Sequence, residues 1–428
     1  MNICLFTNTY LPHVGGVAKS VAILAEDLTR MGHQVLVIAP TFADDLGEQS
    51  DHDFAVVRLP AIQHFNGSDF SVRLPIPFQL TETMDEFSPD LIHSHHPFLL
   101  GDTALRIARS YQIPLVFTHH TLYERYTHYV PLDSASMEKF AINLAVAYCN
   151  LCDAVVAPSE SIATLIKDRG TESPVTVIPT GVDLNFFKQG SAERFNRQYR
   201  LSTEVTVIGH VGRLAEEKNL VYLANAMASV LQRNANYCFL LVGDGPIKNS
   251  LTDLFQEAGV SDQVITTGTC AGQDLADAYA AMDLFVFTSH TETQGMVVTE
   301  AMAAANPVVA LDASGVREVV KHGENGLLLR DSTSIDDFAE ATAELCEARQ
   351  RREHLAEGAK NTALTMTREQ SARKMITLYQ SLTYQDLSEH NYQEKLSLID
   401  KIAGKLKAEW ELLSEKGRAA ARTVSEIS

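Results

Sequence analysis

The sequence predicts an α/β protein built from two doubly wound, parallel-sheet domains. Three observations carry that reading: the length, the alternation of short β-rich runs with helical patterns, and a restart of that alternation midway along the chain. At 428 residues the chain is longer than one hydrophobic core usually supports. Ile3-Cys4-Leu5-Phe6-Thr7, a helical pattern over 17–31 and the run His33 to Pro40 form an opening β-α-β unit. Apolar runs at 90–93, 114–117, 154–157 and 175–179 complete a first domain. A second series follows at 205–210, 238–242, 263–266, 284–287, 307–310 and 326–329. The polar, turn-rich stretch 181–202 is the expected linker. Helical patterns fill 335–349, 351–366 and 369–382, and a tail over 383–428 mixes Lys, Glu, Leu and Ile at helical spacing around the chain's only Trp, Trp410. The expected organisation is domains at 1–185 and 186–368, a helix at 369–383 crossing back to the first domain, and a helical tail at 384–428.

Composition narrows the function. With 45% hydrophobic and 21% charged residues the chain is ordinary globular protein. A formal charge of -19 without a basic patch argues against nucleic acid as a partner. The six Cys, scattered through apolar runs, read as reduced, buried thiols. Cys149 and Cys152 form a lone C-x-x-C in a helical stretch with no second pair to complete a zinc site, so core packing is expected. Residues 1–7 are too short an apolar run for a signal peptide, and no run of about 18 apolar residues appears, so a cytoplasmic protein is expected, with peripheral contact at the inner membrane face left open.

Two constellations carry chemistry. Gly209-His210-Val211-Gly212-Arg213-Leu214-Ala215-Glu216-Glu217-Lys218-Asn219 is a strand running into a glycine turn and a helix start, a geometry that points backbone N–H groups at an anion. Arg213 and Lys218 flank the turn, one a bidentate fork and the other a point charge, as a diphosphate site needs. The second is Glu292-Thr293-Gln294-Gly295-Met296, leading to Glu300 after the strand 284–287. It sets two carboxylates eight positions apart around a glycine turn, beyond a strand end where open α/β sheets bind ligands. Taken alone, Glu300 could be a solvated helix residue.

Together these motifs resemble the retaining glycosyltransferases of family four (glycosyl transferase group 1), and the resemblance spans nearly all of residues 1–380. It implies the GT-B fold, two Rossmann-like domains facing a cleft, with the N-terminal domain taking the acceptor and the C-terminal domain the nucleotide sugar. By the family's Glu, seven residues, Glu motif, Glu292 holds the transferred sugar and Glu300 the ribose hydroxyls, while backbone N–H groups of Gln294, Gly295 and Met296 bind sugar and distal phosphate. Gly15 and Gly16 resemble the N-terminal glycine loop that approaches the donor phosphate. Gly243 and Gly245 resemble the turn beside the base, and Thr269 and Cys270 belong to a loop like the one that reads uracil. In Thr118-His119-His120-Thr121 the family pattern makes His120 the residue near the reacting sugar, with His119 the neighbouring candidate. His93, His95 and His96 could be read as metal ligands, but the resemblance implies no metal and no required cofactor, so they line the acceptor cleft or pack. Asp51-His52-Asp53 has a D-x-D form without its usual context.

Catalytic roles thus fall to His120, Glu292, Arg213 and Lys218. Front-face attack with retention is the implied mechanism, the leaving diphosphate taking the acceptor proton. The form Glu-Thr-Gln-Gly resembles the branch that glucosylates diacylglycerol, which shifts the donor toward UDP-glucose and away from GDP-mannose. Phe65, Phe70, Leu74, Ile76 and Phe78 either insert into a bilayer or pack. A soluble small-molecule or saccharide acceptor, and a nucleotide-sugar epimerase on the same fold, are the alternatives. A dehydrogenase is disfavoured because Gly243-Asp244-Gly245 lacks the third glycine of its fingerprint. The tail is read as docking on the enzyme body or pairing a homodimer.

Overall fold

A computed structural model describes residues 1–13, 15–41, 53–60, 80–124, 135–389 and 398–427. It divides into two compact units, Met1–Thr180 with Ser371–Ser428, and Gly181–Gln370. Asp51 and His52 of the D-x-D triplet, and Phe65, Phe70, Leu74, Ile76 and Phe78, lie outside the described residues.

The first unit carries strands β1 (Asn2–Phe6), β2 (Gln34–Pro40), β3 (Ala55–Leu59), β4 (Leu91–Ser94), β5 (Leu115–Thr118), β6 (Ala154–Ala157) and β7 (Val175–Val177). All pair in parallel, in the order β3-β2-β1-β4-β5-β6-β7. Helices cover both faces, which is why β1 and β2 read as unbroken apolar runs: Cys4, Phe6, Leu36 and Ile38 pack on one side, Ile3, Leu5, Val35 and Val37 on the other. β3 is the strand the apolar pattern did not announce. It lies at the sheet edge with only Leu59 fully buried, so it needs no continuous apolar run. The strand order reverses between β1 and β4, the switch point where such sheets bind ligands.

The tail helix Leu398–Ile427 docks on helices Leu100–Tyr111 and Ala135–Asn150 of the same unit. Leu412 enters the core beside Leu100 and Leu105, and Gly404 packs so closely that a Cβ would stand 2.2 Å from the Arg109 carbonyl oxygen. Lys416 Nζ donates to Asp102 Oδ2 at 2.7 Å, Arg106 Nη2 to Glu409 Oε2 at 3.1 Å and Asn143 Nδ2 to Thr423 Oγ1 at 3.1 Å. Leu412→Ala is therefore expected to cost about 2–4 kcal/mol, as cavity-forming substitutions in a packed core do. Thermal unfolding would read it; an unchanged midpoint would mean that the tail does not support the body.

The second unit carries β8 (Thr206–Val211), β9 (Tyr237–Val242), β10 (Val264–Gly268), β11 (Leu284–Phe287), β12 (Val308–Leu311) and β13 (Gly326–Leu329), all parallel in the order β10-β9-β8-β11-β12-β13. Its switch point falls between β8 and β11. The stretch expected as a linker is instead two short helices of this unit. Asp183 Oδ1 caps Leu184–Lys188 by accepting from Phe186 N at 3.0 Å, and Ser191 Oγ caps Ala192–Tyr199 by accepting from Arg194 N at 3.3 Å. Phe187 and Phe195 bury in the core, and Arg194 forks onto Asp277 at 2.7 and 2.6 Å. Two aromatic anchors were too sparse a pattern to outweigh the polar composition.

No helix among the described residues is long and apolar enough to cross a membrane. Cys149 and Cys152 are free and buried in the first unit's core, where burial pushes the Cys149 thiol up to about 12.

Candidate active site

In the second unit, Lys218 and Glu292 meet although they stand 74 positions apart in the chain. Lys218 ends a short 3-10 turn after β8, Glu292 lies in the loop after β11, and these two strands flank the switch point. Lys218 Nζ donates to Glu292 Oε1 at 2.6 Å, with side chains 18% and 19% exposed. Cross-links hold the two loops in register. Asn219 Nδ2 donates to the Thr288 carbonyl at 3.2 Å, Thr288 Oγ1 to the Asn219 carbonyl at 3.2 Å, and Thr291 Oγ1 to the Glu217 carbonyl at 3.2 Å. Asn219 takes this place with φ +57°, a left-handed conformation that Asn tolerates better than most residues. The sequence motif runs to Asn219 but assigns it no role; its signal was the position directly after Lys218.

Glu300 lies within the helix Met296–Ala303 and is 5% exposed, which overturns its reading as a solvated residue. Tyr279 Oη donates to its Oε2 at 3.0 Å. Gly295 starts this helix with φ +72°, and the turn at Gly315 presses so closely on Gln294 that a Cβ there would stand 2.7 Å from the Gln294 nitrogen. The first backbone N–H groups of a helix, here that of Met296, have no carbonyl one turn back within the helix to donate to. That is the arrangement an anion or a sugar hydroxyl can use.

The glycine pair after β9 has a packing role. Gly243 adopts φ +145°, and a Cβ would stand 1.9 Å from the Gly212 carbonyl oxygen; Gly245 adopts φ +157°, 2.4 Å from that of Leu214. Leu214 N donates to the Asp244 carbonyl at 2.9 Å and Gly243 N to that of Gly268 at 2.9 Å. The loops after β8, β9 and β10 are thereby stitched together, which brings the exposed Arg213 and Thr269 and the half-buried Cys270 to one end of the sheet. His210, buried beneath this end, donates from Nδ1 to the Val286 carbonyl at 3.0 Å.

In the first unit the switch point collects Gly15 and Gly16 after β1 and the histidines after β4 and β5. A Cβ on Gly15 would press on the His13 ring at 3.2 Å, whereas Gly16 has open space around it. His93 Nδ1 pairs with Tyr379 Oη at 2.6 Å and its Nε2 with Thr118 Oγ1 at 2.7 Å, so it packs inside the unit. His96 Nδ1 accepts from Asn8 N at 3.1 Å. His119 is buried against Phe117 and Tyr123, and His120 is partly exposed, its Nε2 2.9 Å from His95 Nδ1. Of the two neighbours, His120 is the one a substrate can reach.

Burial disfavours the charged imidazoles. It pushes His93 and His96 down to about 3, and His119 and His210 to about 4. In an unfolded chain these groups titrate near about 6.5, so between pH 6.5 and 4 the unfolded state binds more protons and acid destabilises the fold. Each such histidine costs about 1.4 kcal/mol per pH unit in that window. The first unit, holding His93, His96 and His119, is expected to lose stability first on acidification. Urea midpoints at pH 7 and 5.5, followed in each unit, would check it, and equal losses would contradict it.

Residues 14–186 match Glycosyltransferase Family 4 and residues 191–362 match Glycosyl transferases group 1. The chain is 32% identical to alpha-monoglucosyldiacylglycerol synthase of Streptococcus pneumoniae, across 72% of this chain and 71% of that protein. It is also 32% identical to GDP-mannose-dependent alpha-mannosyltransferase of Corynebacterium glutamicum, across 79% and 78%. Anabaena HepE, solved with UDP and glucose, superposes with a TM-score of 0.71 at 25% identity, covering 89% of this chain and 99% of that one. With two parallel sheets of Rossmann type and the motif residues gathered at their switch points, the chain belongs to the family-four glycosyltransferases of GT-B fold and is a hexosyltransferase.

Proposed function

We propose that this enzyme transfers glucose from UDP-glucose, with retention, to a lipid hydroxyl such as that of diacylglycerol. The observation that carries the reading is the Lys218–Glu292 pair at the second unit's switch point, where the helix Met296–Ala303 begins shortly after Glu292. Lys218 and Arg213 stabilise the leaving diphosphate, Glu292 and the N–H groups of Gln294, Gly295 and Met296 bind the sugar, and Glu300 accepts from the ribose hydroxyls. Thr269, Cys270, Gly243 and Gly245 border the base, Gly15 and Gly16 the phosphate, and His120 the reacting sugar. In the reaction the acceptor oxygen bonds to the anomeric carbon, the bond from that carbon to the diphosphate oxygen breaks, and the acceptor proton passes to that diphosphate oxygen. These groups need no metal or other cofactor. HepE binds UDP and glucose, and the pneumococcal relative's name places glucose on diacylglycerol, which supports both choices.

The corynebacterial relative favours a second reading, GDP-mannose as donor. A radiolabel assay with UDP-glucose and GDP-mannose, each against diacylglycerol micelles and soluble acceptors, separates them. Lipid product from UDP-glucose is expected; product only from soluble acceptors, with no liposome flotation, would remove the lipid and the peripheral association at the inner membrane face.

The tail also supports a homodimer. Trp410 and Leu413 are 74% and 69% exposed on the tail helix, three positions apart and opposite the docked Ala408, Leu412 and Ala419. Trp410→Lys is expected to convert a dimer to a monomer in light scattering without altering the melting midpoint by more than about 2 °C. A monomeric parent chain would refute it.

A further inference from the structure

The pairing of His95 with His120 bears on which ring nitrogen of His120 carries its proton. Strands β4 and β5 are neighbours, with His93 opposite Val116 and Ser94 opposite Phe117, so the segments that follow them run side by side. There the His95 and His120 rings lie edge to edge, with centroids 5.2 Å apart and planes within 26°, and Nδ1 of His95 is 2.9 Å from Nε2 of His120. One proton occupies that bond. The remaining nitrogen of His95, Nε2, is buried and has no hydrogen-bond partner among the described residues.

If His120 donated, His95 would have to carry its proton on Nε2, as an orphaned buried N–H. If His95 donates, Nε2 is only a bare lone pair, and an unmet acceptor is the less costly defect. The ring is not free to turn away from this choice, because His93 packs on it at 4.2 Å and is itself held by Tyr379 and Thr118. Burial, and the neighbouring His93 and His96, hold both rings well below the ordinary histidine range and so keep the pair neutral.

We propose that His95 is a positioning residue that donates from Nδ1 to Nε2 of His120 and so holds His120 as the neutral tautomer protonated on Nδ1. His120 then serves the sugar as a hydrogen-bond donor. Its one lone pair is occupied by His95, so it does not act as a base, and the acceptor's proton goes to the leaving diphosphate. The consequence for turnover rests on the reading of His120 as the group beside the reacting sugar; the tautomer itself does not.

The test is a long-range proton–nitrogen correlation spectrum of the 15N-histidine-labelled full-length enzyme, with the His120 signals assigned by their loss in His120→Gln. Wild type should show the Nδ1–H form. His95→Asn, which keeps an N–H donor at the place of Nδ1, should retain it. His95→Leu should mix in the Nε2–H form and lower kcat with UDP-glucose about tenfold, with donor KM little changed. An Nε2–H form in wild type, or an undisturbed Nδ1–H form in His95→Leu, would overturn the proposal. A changed tautomer with unchanged kcat would support the His95 lock and overturn instead the role assigned to His120.

Discussion

Lys218→Ala is expected to lower kcat/KM for the donor by about a hundredfold or more, the largest loss of any single charge in the second unit. A preorganised cation aimed at a developing diphosphate charge contributes about 3–4 kcal/mol in a shielded site, and the Lys218 side chain is 18% exposed. Its ammonium is engaged by Glu292 at 2.6 Å. On the proposed roles, an arriving diphosphate would compete for that ammonium and release the carboxylate to accept from sugar hydroxyls. The two residues then act as one exchanging unit, so Lys218→Ala and Glu292→Gln should be strongly non-additive when combined. Steady-state kinetics of the two single variants and the double variant read this directly. Unaltered donor use in Lys218→Ala would remove the diphosphate role, and simple additivity would remove the exchange.

Gly243→Ala is expected to destabilise the second unit by about 3 kcal/mol or more, which for a body of this size lowers the melting midpoint by roughly 6–12 °C. Two costs combine: a φ of +145° that side-chain-bearing residues rarely adopt, and a Cβ 1.9 Å from the Gly212 carbonyl oxygen. The loop that would have to give way is the one carrying Arg213, so donor affinity should fall along with stability. Gly16→Ala, at a glycine with nothing within 4 Å, is the contrast: its midpoint should hold. A Gly243→Ala enzyme that melts like the parent would mean that this glycine serves only ligand approach.

The strands were legible because a parallel sheet covered on both faces demands continuous apolar runs, and runs such as Val35 to Ala39 and Cys238 to Val242 declare themselves locally. The edge strand β3 and the helices at Phe187 and Phe195 escaped because each buries too few residues to impose a pattern. Asp183 and Ser191 were nevertheless readable as N-caps.

From the sequence alone came the fold class, the spacing of Glu292 and Glu300, the placing of Arg213 and Lys218 after one strand and Glu292 after another, and the family they resemble. Only the tertiary structure decided that Lys218 grips Glu292, that Glu300 is buried under Tyr279, that Gly243 is required by packing against Gly212, and that His95 meets His120. Propensity and periodicity act over a turn or a strand and are written in neighbouring residues. A contact across 74 positions depends on strand order instead, and β8 lies beside β11 only because the winding reverses there.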